Sequence, residues 1–511
     1  MKNLSYKDWI NSREENFPYY NPAPKLTVSA SEGIKTEENP NVTIQEEQVP
    51  IVASGVKYNN GNHGFNLETL KELHECGFNI GMQNAISSDY NEESFEAAEK
   101  AQVNLIFSQW KFYKDENGPG ITDTLKEFPP FFGGVKLIDE IPYSEIGFQE
   151  DGKPTFIQGK YRDLMEQNVD CLIFINLIGS AQDGFMKDPV KDCNAEYEAC
   201  IASSGENNIG DCEVQKSFCE RDKRIQYIQY VTAFQRAFKP SFFCYDFYPI
   251  REHTKILYQG DSRLSEGYVK ELNHVIEGEI EINYGAFYDK LRLFSQYSKE
   301  FDRPFWITIQ GMSFLYLKFL GYYPMALENY IRFQAFSAIA FGAKGFVYWT
   351  YAMINNSYEE CKMAALTDRQ NHKTGSWYLA KQVNLEIQTY RDMILNTEVI
   401  DVYHVEFSKS FSKENSLLRF NLIVTTNLQN GILISYRKKN EQEYYIMVMS
   451  KNMLEYQEIT IHVNKGIIRE LTPITSGGEI NKLLEKGENT RILIPGGYRI
   501  FRMSLEAFPV G

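Results

Sequence analysis

The segment LIDEIPYSE carries two adjacent carboxylates, Asp139 and Glu140. Side by side, two like charges repel, and one of them then holds its proton above the usual carboxylate range. A carboxyl protonated near neutral pH is what general acid catalysis requires. The competing reading is a structural pair that meets Lys136 or Arg251, or caps a helix. Asp246, in CYDFYP, is the second acidic candidate. Period-two alternation puts Cys244, Asp246 and Tyr248 on one face. Asp246 either contacts a ligand there or caps the segment before Pro249. Aromatic side chains (Tyr58, Trp110, Trp349) and amides (Asn84, Gln310) complete the set. Such rings stack on the C–H faces of a pyranose while amides and acids meet its hydroxyls. For Trp349 the plainer alternative is core packing.

These candidates run from Tyr58 to Trp349, so the fold must gather them. The chain alternates apolar runs with helical periodicity. The runs are VPIVASGV (49–56), FNIGMQN, VNLIFSQW (103–110), FFGGVKLIDE (131–140), DCLIFINLI, SFFCYDFYPI (241–250), RPFWITIQG (303–311) and KGFVYWTYA (344–352). Between them lie segments such as NLETLKELHECG (66–77), which ends at a capping glycine. Near-continuous apolar strands are those of a parallel sheet buried on both faces. Eight strand–helix units in series predict a (β/α)8 TIM barrel. A doubly wound sheet is the alternative, but no G-x-G-x-x-G follows the first run. In such a barrel every candidate above falls at or just beyond the C-terminal end of a strand, where barrel active sites lie.

The barrel spans about residues 48–396. Residues 1–47 are a polar, proline-punctuated lead-in, and residues 397–511 read as short strands of an all-β sandwich domain. A metal centre of the amidohydrolase type would need H-x-H on the first strand, and the seven histidines are dispersed. A phosphate site would need glycine-rich loops after strands seven and eight, where YWTY stands instead. Neither a metal nor a cofactor is expected.

Of 511 residues, 53 are basic and 68 acidic, and 53 minus 68 gives −15. That balance argues against nucleic acid or an anionic membrane as partner. With 43% apolar residues the chain can bury a large core. Its longest apolar stretch, CLIFINLIG from Cys171, is strand-length, so no membrane span is expected. The first residues, MKNLSYKDWI, have no signal-type apolar region; the chain is cytosolic or its leader is missing from this sequence. The cysteines favour the second. Cys193, Cys200, Cys212 and Cys219 are spaced C-x6-C-x11-C-x6-C within a polar insertion at about 180–222. Zinc pairs want two to four intervening residues, whereas two disulfides fit and imply a secreted, periplasmic or cell-surface protein. The spacing leaves connectivity open. Pairing Cys193 with Cys219 and Cys200 with Cys212 would staple a helical hairpin.

GGVKLIDEIP, CYDFYPI, IRFQAFSAIAFGAKGFVYWTY and ALTDRQNHKTGSWYLAKQVNLEI, with ILIPGGYRIFRM near the C-terminus, resemble clan A glycoside hydrolases. The nearest are the family 42 β-galactosidase-like barrels and the sugar-hydrolase barrels of gut Bacteroidetes. The resemblance covers about residues 48–511. It implies a glycosidase acting on an oligosaccharide or glycan, with Glu140 as general acid/base and Asp139 where an Asn usually contacts the sugar 2-hydroxyl. The family's nucleophile, a Glu ending strand seven, corresponds to Gln310. An amide cannot form a glycosyl ester. Asp246 then stands as the second carboxylate, the base of an inverting pair with carboxyls about 6.5–9.5 Å apart. The alternative is a catalytically degenerate carbohydrate-binding barrel.

Overall fold

The structure is a computed structural model. It describes residues 48–56, 65–82, 92–108, 131–147, 149, 153–166, 172–179, 186, 191–204, 209–254, 278–282, 284–316, 321–323, 328–352, 360–368, 371–405, 432–440, 442–453, 457–462, 468–474, 488–493 and 496–505. The lead-in at 1–47 lies outside them.

Eight parallel strands close a barrel: β1 (Ile51–Ser54), β2 (Ile80–Met82), β3 (Asn104–Ser108), β4 (Phe132–Ile138), β5 (Leu172–Leu177), β6 (Phe243–Asp246), β9 (Phe305–Gln310) and β12 (Gly345–Trp349). Each of the eight apolar runs supplies one strand. Closure is direct, with Val52 of β1 opposite Val347 of β12 and Ile80 of β2. Helices cover the outside. They include α1 (Leu67–Glu75), α2 (Glu92–Ala101), α3 (Phe156–Glu166), α4 (Cys193–Ser204), α5 (Ile209–Phe238), α6 (Tyr284–Phe301), α7 (Glu328–Phe341), α8 (Gly375–Thr389) and α9 (Arg391–Asn396). Helix α1 starts where the Asn66 side chain accepts from the Thr69 amide at 2.8 Å, and Gly77 follows it with φ +82°.

The strands alternate sides. On β4, Val135 and Leu137 join the layer between strands and helices. Inside the barrel, Val52, Ile80, Ile106, Phe174, Trp306 and Val347 pack together as an apolar floor.

Five further strands make a second sheet that the sequence does not announce: β7 (Ile250–Thr254), β8 (Gly278–Ile282), β10 (Ser313–Tyr316), β11 (Gly321–Tyr323) and β13 (Glu360–Ala364). Their order is β13-β10-β11-β7-β8. All five belong to segments that follow β6, β9 and β12, so this antiparallel sheet rises from the C-terminal side of the barrel.

The insertion is a helical hairpin of α4 and α5. Disulfides join Cys193 to Cys219 and Cys200 to Cys212, the pairing that staples such a hairpin. Helix α5 runs 30 residues from Ile209, so the third and fourth cysteines lie on its first half.

The C-terminal all-β part consists of a five-stranded antiparallel sheet, β14-β15-β16-β20-β18, and a two-stranded one, β17-β19. The strands are β14 (Glu398–Val405), β15 (Ile432–Lys438), β16 (Glu443–Ser450), β17 (Gln457–His462), β18 (Ile468–Ile474), β19 (Glu488–Leu493) and β20 (Tyr498–Leu505). It packs on α7 and α8. Tyr498 stacks on Phe336 with centroids 3.6 Å apart and donates to Glu386 Oε2 at 3.1 Å. Glu386 also takes a two-pronged ion pair from the buried Arg332. Arg437, fully buried, donates to the Ile339 and Ile394 carbonyls and to Thr397 Oγ1. It satisfies carbonyls near the C-terminal ends of α7 and α9.

Candidate active site

Two residues above the apolar floor, the inner face becomes polar. Alternation carries Phe174 to Asn176, Cys244 to Asp246, Trp306 to Thr308 and Gln310, and Val347 to Trp349. On β4 the corresponding inward residue is Lys136, only 5% exposed.

Asp139 and Glu140 follow β4 directly. Asp139 is held from both sides. Its Oδ2 accepts from Lys136 Nζ at 2.9 Å, and its Oδ1 accepts from Asn176 Nδ2 at 3.0 Å. Lys136 is thus the cation that Asp139 meets, as the structural reading of the acid pair has it. Glu140 adopts φ +52°, a left-handed conformation that costs an ordinary side chain about 1–2 kcal/mol. The turn points Glu140 away from its neighbour's ion pair and toward β6.

There the Glu140 carboxyl comes within hydrogen-bonding reach of Asp246. Burial pushes the Asp246 carboxyl well above the usual range, and the charges of Glu140 and Asp139 push it the same way. Asp246 Oδ1 is buried and accepts from no donor among the described residues, while Tyr248 OH donates to Oδ2 at 3.4 Å. Two neighbouring carboxylates cannot both ionise cheaply, which favours the proton-bearing form of Asp246. The repulsion inferred for Asp139 and Glu140 extends to Asp246, which the charges of both push up.

Positioning comes from residues that the sequence does not mark as part of the site. Tyr230 of α5 donates to the Ile141 carbonyl at 2.7 Å, fixing the residue after Glu140. Tyr227, one helical turn earlier, donates to the Ile178 carbonyl at 2.7 Å. The tyrosine pair in RIQYIQY was the available signal. At Gly179 a Cβ would lie 1.7 Å from the Asp246 carbonyl oxygen, so glycine alone allows the ends of β5 and β6 to touch. Cys244 is a buried thiol whose titration is pushed up first by burial and then by the Asp246 charge, which leaves it inert.

Trp349 is half-buried and, with Tyr248, packs against Met312 and Ala365. Lys136 Nζ lies 5.9 Å from its ring centroid. Gln310 stands opposite Trp349 in the β9–β12 register and is buried, its backbone N–H donating to Gln334 Oε1 at 2.9 Å. The structure thus brings Asp139, Glu140, Asp246 and Tyr248 together, with Trp349 and Gln310 alongside. Tyr58, Asn84 and Trp110 lie outside the described residues. Among the described residues no three His, Cys, Asp or Glu side chains form a group able to hold a metal ion. No described helix is long and apolar enough to cross a membrane.

The sequence matches no family model and no curated protein. Solved structures of similar fold include a catalytic mutant of Gan42B, a GH42 β-galactosidase from G. stearothermophilus, at 7% identity and TM-score 0.43, covering 90% of this chain and 99% of that one. A β-galactosidase from Bacillus circulans sp. alkalophilus has 8% identity, TM-score 0.41 and coverage of 90% and 99%. An α-galactosidase I from Mortierella vinacea has 6% identity, TM-score 0.37 and coverage of 90% and 98%. At these values the likeness carries nothing about activity; the closed order of eight parallel strands defines the fold class by itself.

Proposed function

We propose that this barrel is a glycosidase, with Glu140 protonating the leaving oxygen of a glycosidic bond. The observation that carries the proposal is the Glu140–Asp246 contact at the C-terminal end of the barrel. A carboxyl pair that shares one proton supplies a proton donor at neutral pH, which glycosidic cleavage requires. In the free protein burial favours the proton on Asp246; Glu140 draws on it when a glycosidic oxygen arrives. Tyr248 and Trp349 beside the pair offer the rings on which a pyranose stacks, and Asp139, fixed by Lys136 and Asn176, offers an acceptor for its hydroxyls. For Asp246 to serve next as the base that activates water, substrate must part the two carboxyls to about 6.5–9.5 Å. The two disulfides fit an oxidising compartment outside the cytosol.

A second reading, a barrel that binds glycan without cleaving it, is favoured by one observation: β9 ends in the amide of Gln310. A screen of p-nitrophenyl glycosides together with plant and host glycans separates the two. Release of nitrophenol or of free sugar supports the glycosidase. Saturable binding with no release supports the binding barrel.

A further inference from the structure

Lys136 stands inside the barrel with Val135 and Leu137 on either side facing the helices. Taking an ammonium out of water is costly unless a carboxylate meets it. Asp139 Oδ2 does so at 2.9 Å, and Asn176 holds the other oxygen at 3.0 Å. The same ammonium lies 5.9 Å from the Trp349 ring centroid, within cation–π range. One enclosed cation therefore pairs with the residue preceding Glu140 and lies 5.9 Å from the ring beside the acid pair.

We propose that Lys136 is a positioning residue: it fixes Asp139 and Trp349 and offsets the Asp139 charge, and so sets the pH at which the Glu140–Asp246 pair releases its proton. For its catalytic consequence this rests on the glycosidase reading. The groups that face the pair come from three elements. Asp139 and Lys136 come from β4 and its end. Cys244, held neutral by burial, comes from β6, with Tyr248 just beyond. Tyr227 and Tyr230 come from α5, both held protonated by burial and both donating to carbonyls. Among the described residues Lys136 is the cation placed at this cluster, by its 2.9 Å ion pair with Asp139. A nearby cation favours the ionised pair. Removing it while Asp139 stays negative favours the protonated pair, so the titration moves to higher pH.

The test uses the full chain with isotope-labelled Asp and Glu carboxyls, titrated by NMR. Lys136→Met should raise the pair's titration midpoint by about half a pH unit or more. Lys136→Arg, which keeps the charge, should return it close to the parent value. Asp139→Asn should lower it, because Lys136 is then unopposed. With a cleaved p-nitrophenyl glycoside, the limb of kcat/KM that falls with rising pH should move in the same directions. A Lys136→Met midpoint equal to the parent's overturns the proposal. Should that variant not fold, an unmoved midpoint in Asp139→Asn overturns it instead. Shifted midpoints in a protein that cleaves no glycoside support the Lys136 role and remove the glycosidase reading; unshifted midpoints in an active enzyme do the reverse.

Discussion

Glu140 comes within hydrogen-bonding reach of Asp246 although the two follow or end β4 and β6, which β5 separates. The left-handed turn at Glu140 brings one of them over, and the close approach at Gly179 holds the other. The site's proton chemistry depends on this contact.

Asp246 carries a cost at neutral pH that an amide would not. Its carboxyl titrates above its unfolded value, so the folded state binds the proton more tightly. Stability from this group is therefore complete below the unfolded pKa of about 3.9 and is lost as pH rises through the folded value. Asp246→Asn should raise stability at pH 7. The gain should shrink toward pH 4, as denaturant melts at both pH values would read. A gain that does not change with pH contradicts the shared proton.

Gly179→Ala tests the packing of the strand ends. The added methyl would fall 1.7 Å from the Asp246 carbonyl oxygen, and both partners are backbone. We expect a loss of about 2–4 kcal/mol in thermal or denaturant unfolding. Turnover should fall with it, because Asp246 must move.

The hairpin disulfides close loops of 26 and 12 residues in sequence separation. Each should stabilise the hairpin by about 3 kcal/mol. Replacing Cys200 and Cys212 by Ser, in a reducing buffer, should open protease cleavage between residues 193 and 225. The barrel's far-UV signal and activity should survive, since the site is pinned from Tyr227 onward. Cleavage within barrel strands would contradict that separation.

Arg437→Met removes donors from the Ile339 and Ile394 carbonyls and from Thr397 Oγ1 at the junction of the barrel and the β part. Unsatisfied buried acceptors cost about 1–3 kcal/mol each, so a loss of about 2–4 kcal/mol is expected after partial relaxation. The melting temperature measures it directly.

The barrel strands were legible because each is buried on both faces and so reads as an unbroken apolar run. The second sheet was not, because its pairs join distant segments, as Tyr322 pairs with Glu252 and Ile250 with Ile282. Helix α5 was legible only from about Arg224. Earlier, little besides Cys212 and Cys219 is buried, and a helix without a buried stripe has no apolar period to read. Asp139, Glu140 and Asp246 were legible as acids at strand ends. Their partners were not: which carboxyl faces which depends on the Glu140 turn, and Lys136 counted only as the bland partner of an acid pair.

The central claim rests on Glu140 as proton donor, and Glu140→Gln tests it most directly. An amide of nearly the same shape keeps the packing but gives no proton. On a p-nitrophenyl glycoside or glycan that the parent hydrolyses, kcat/KM should fall by about 10²–10⁴-fold, with the melting curve intact. Turnover within a few-fold of the parent would contradict the account.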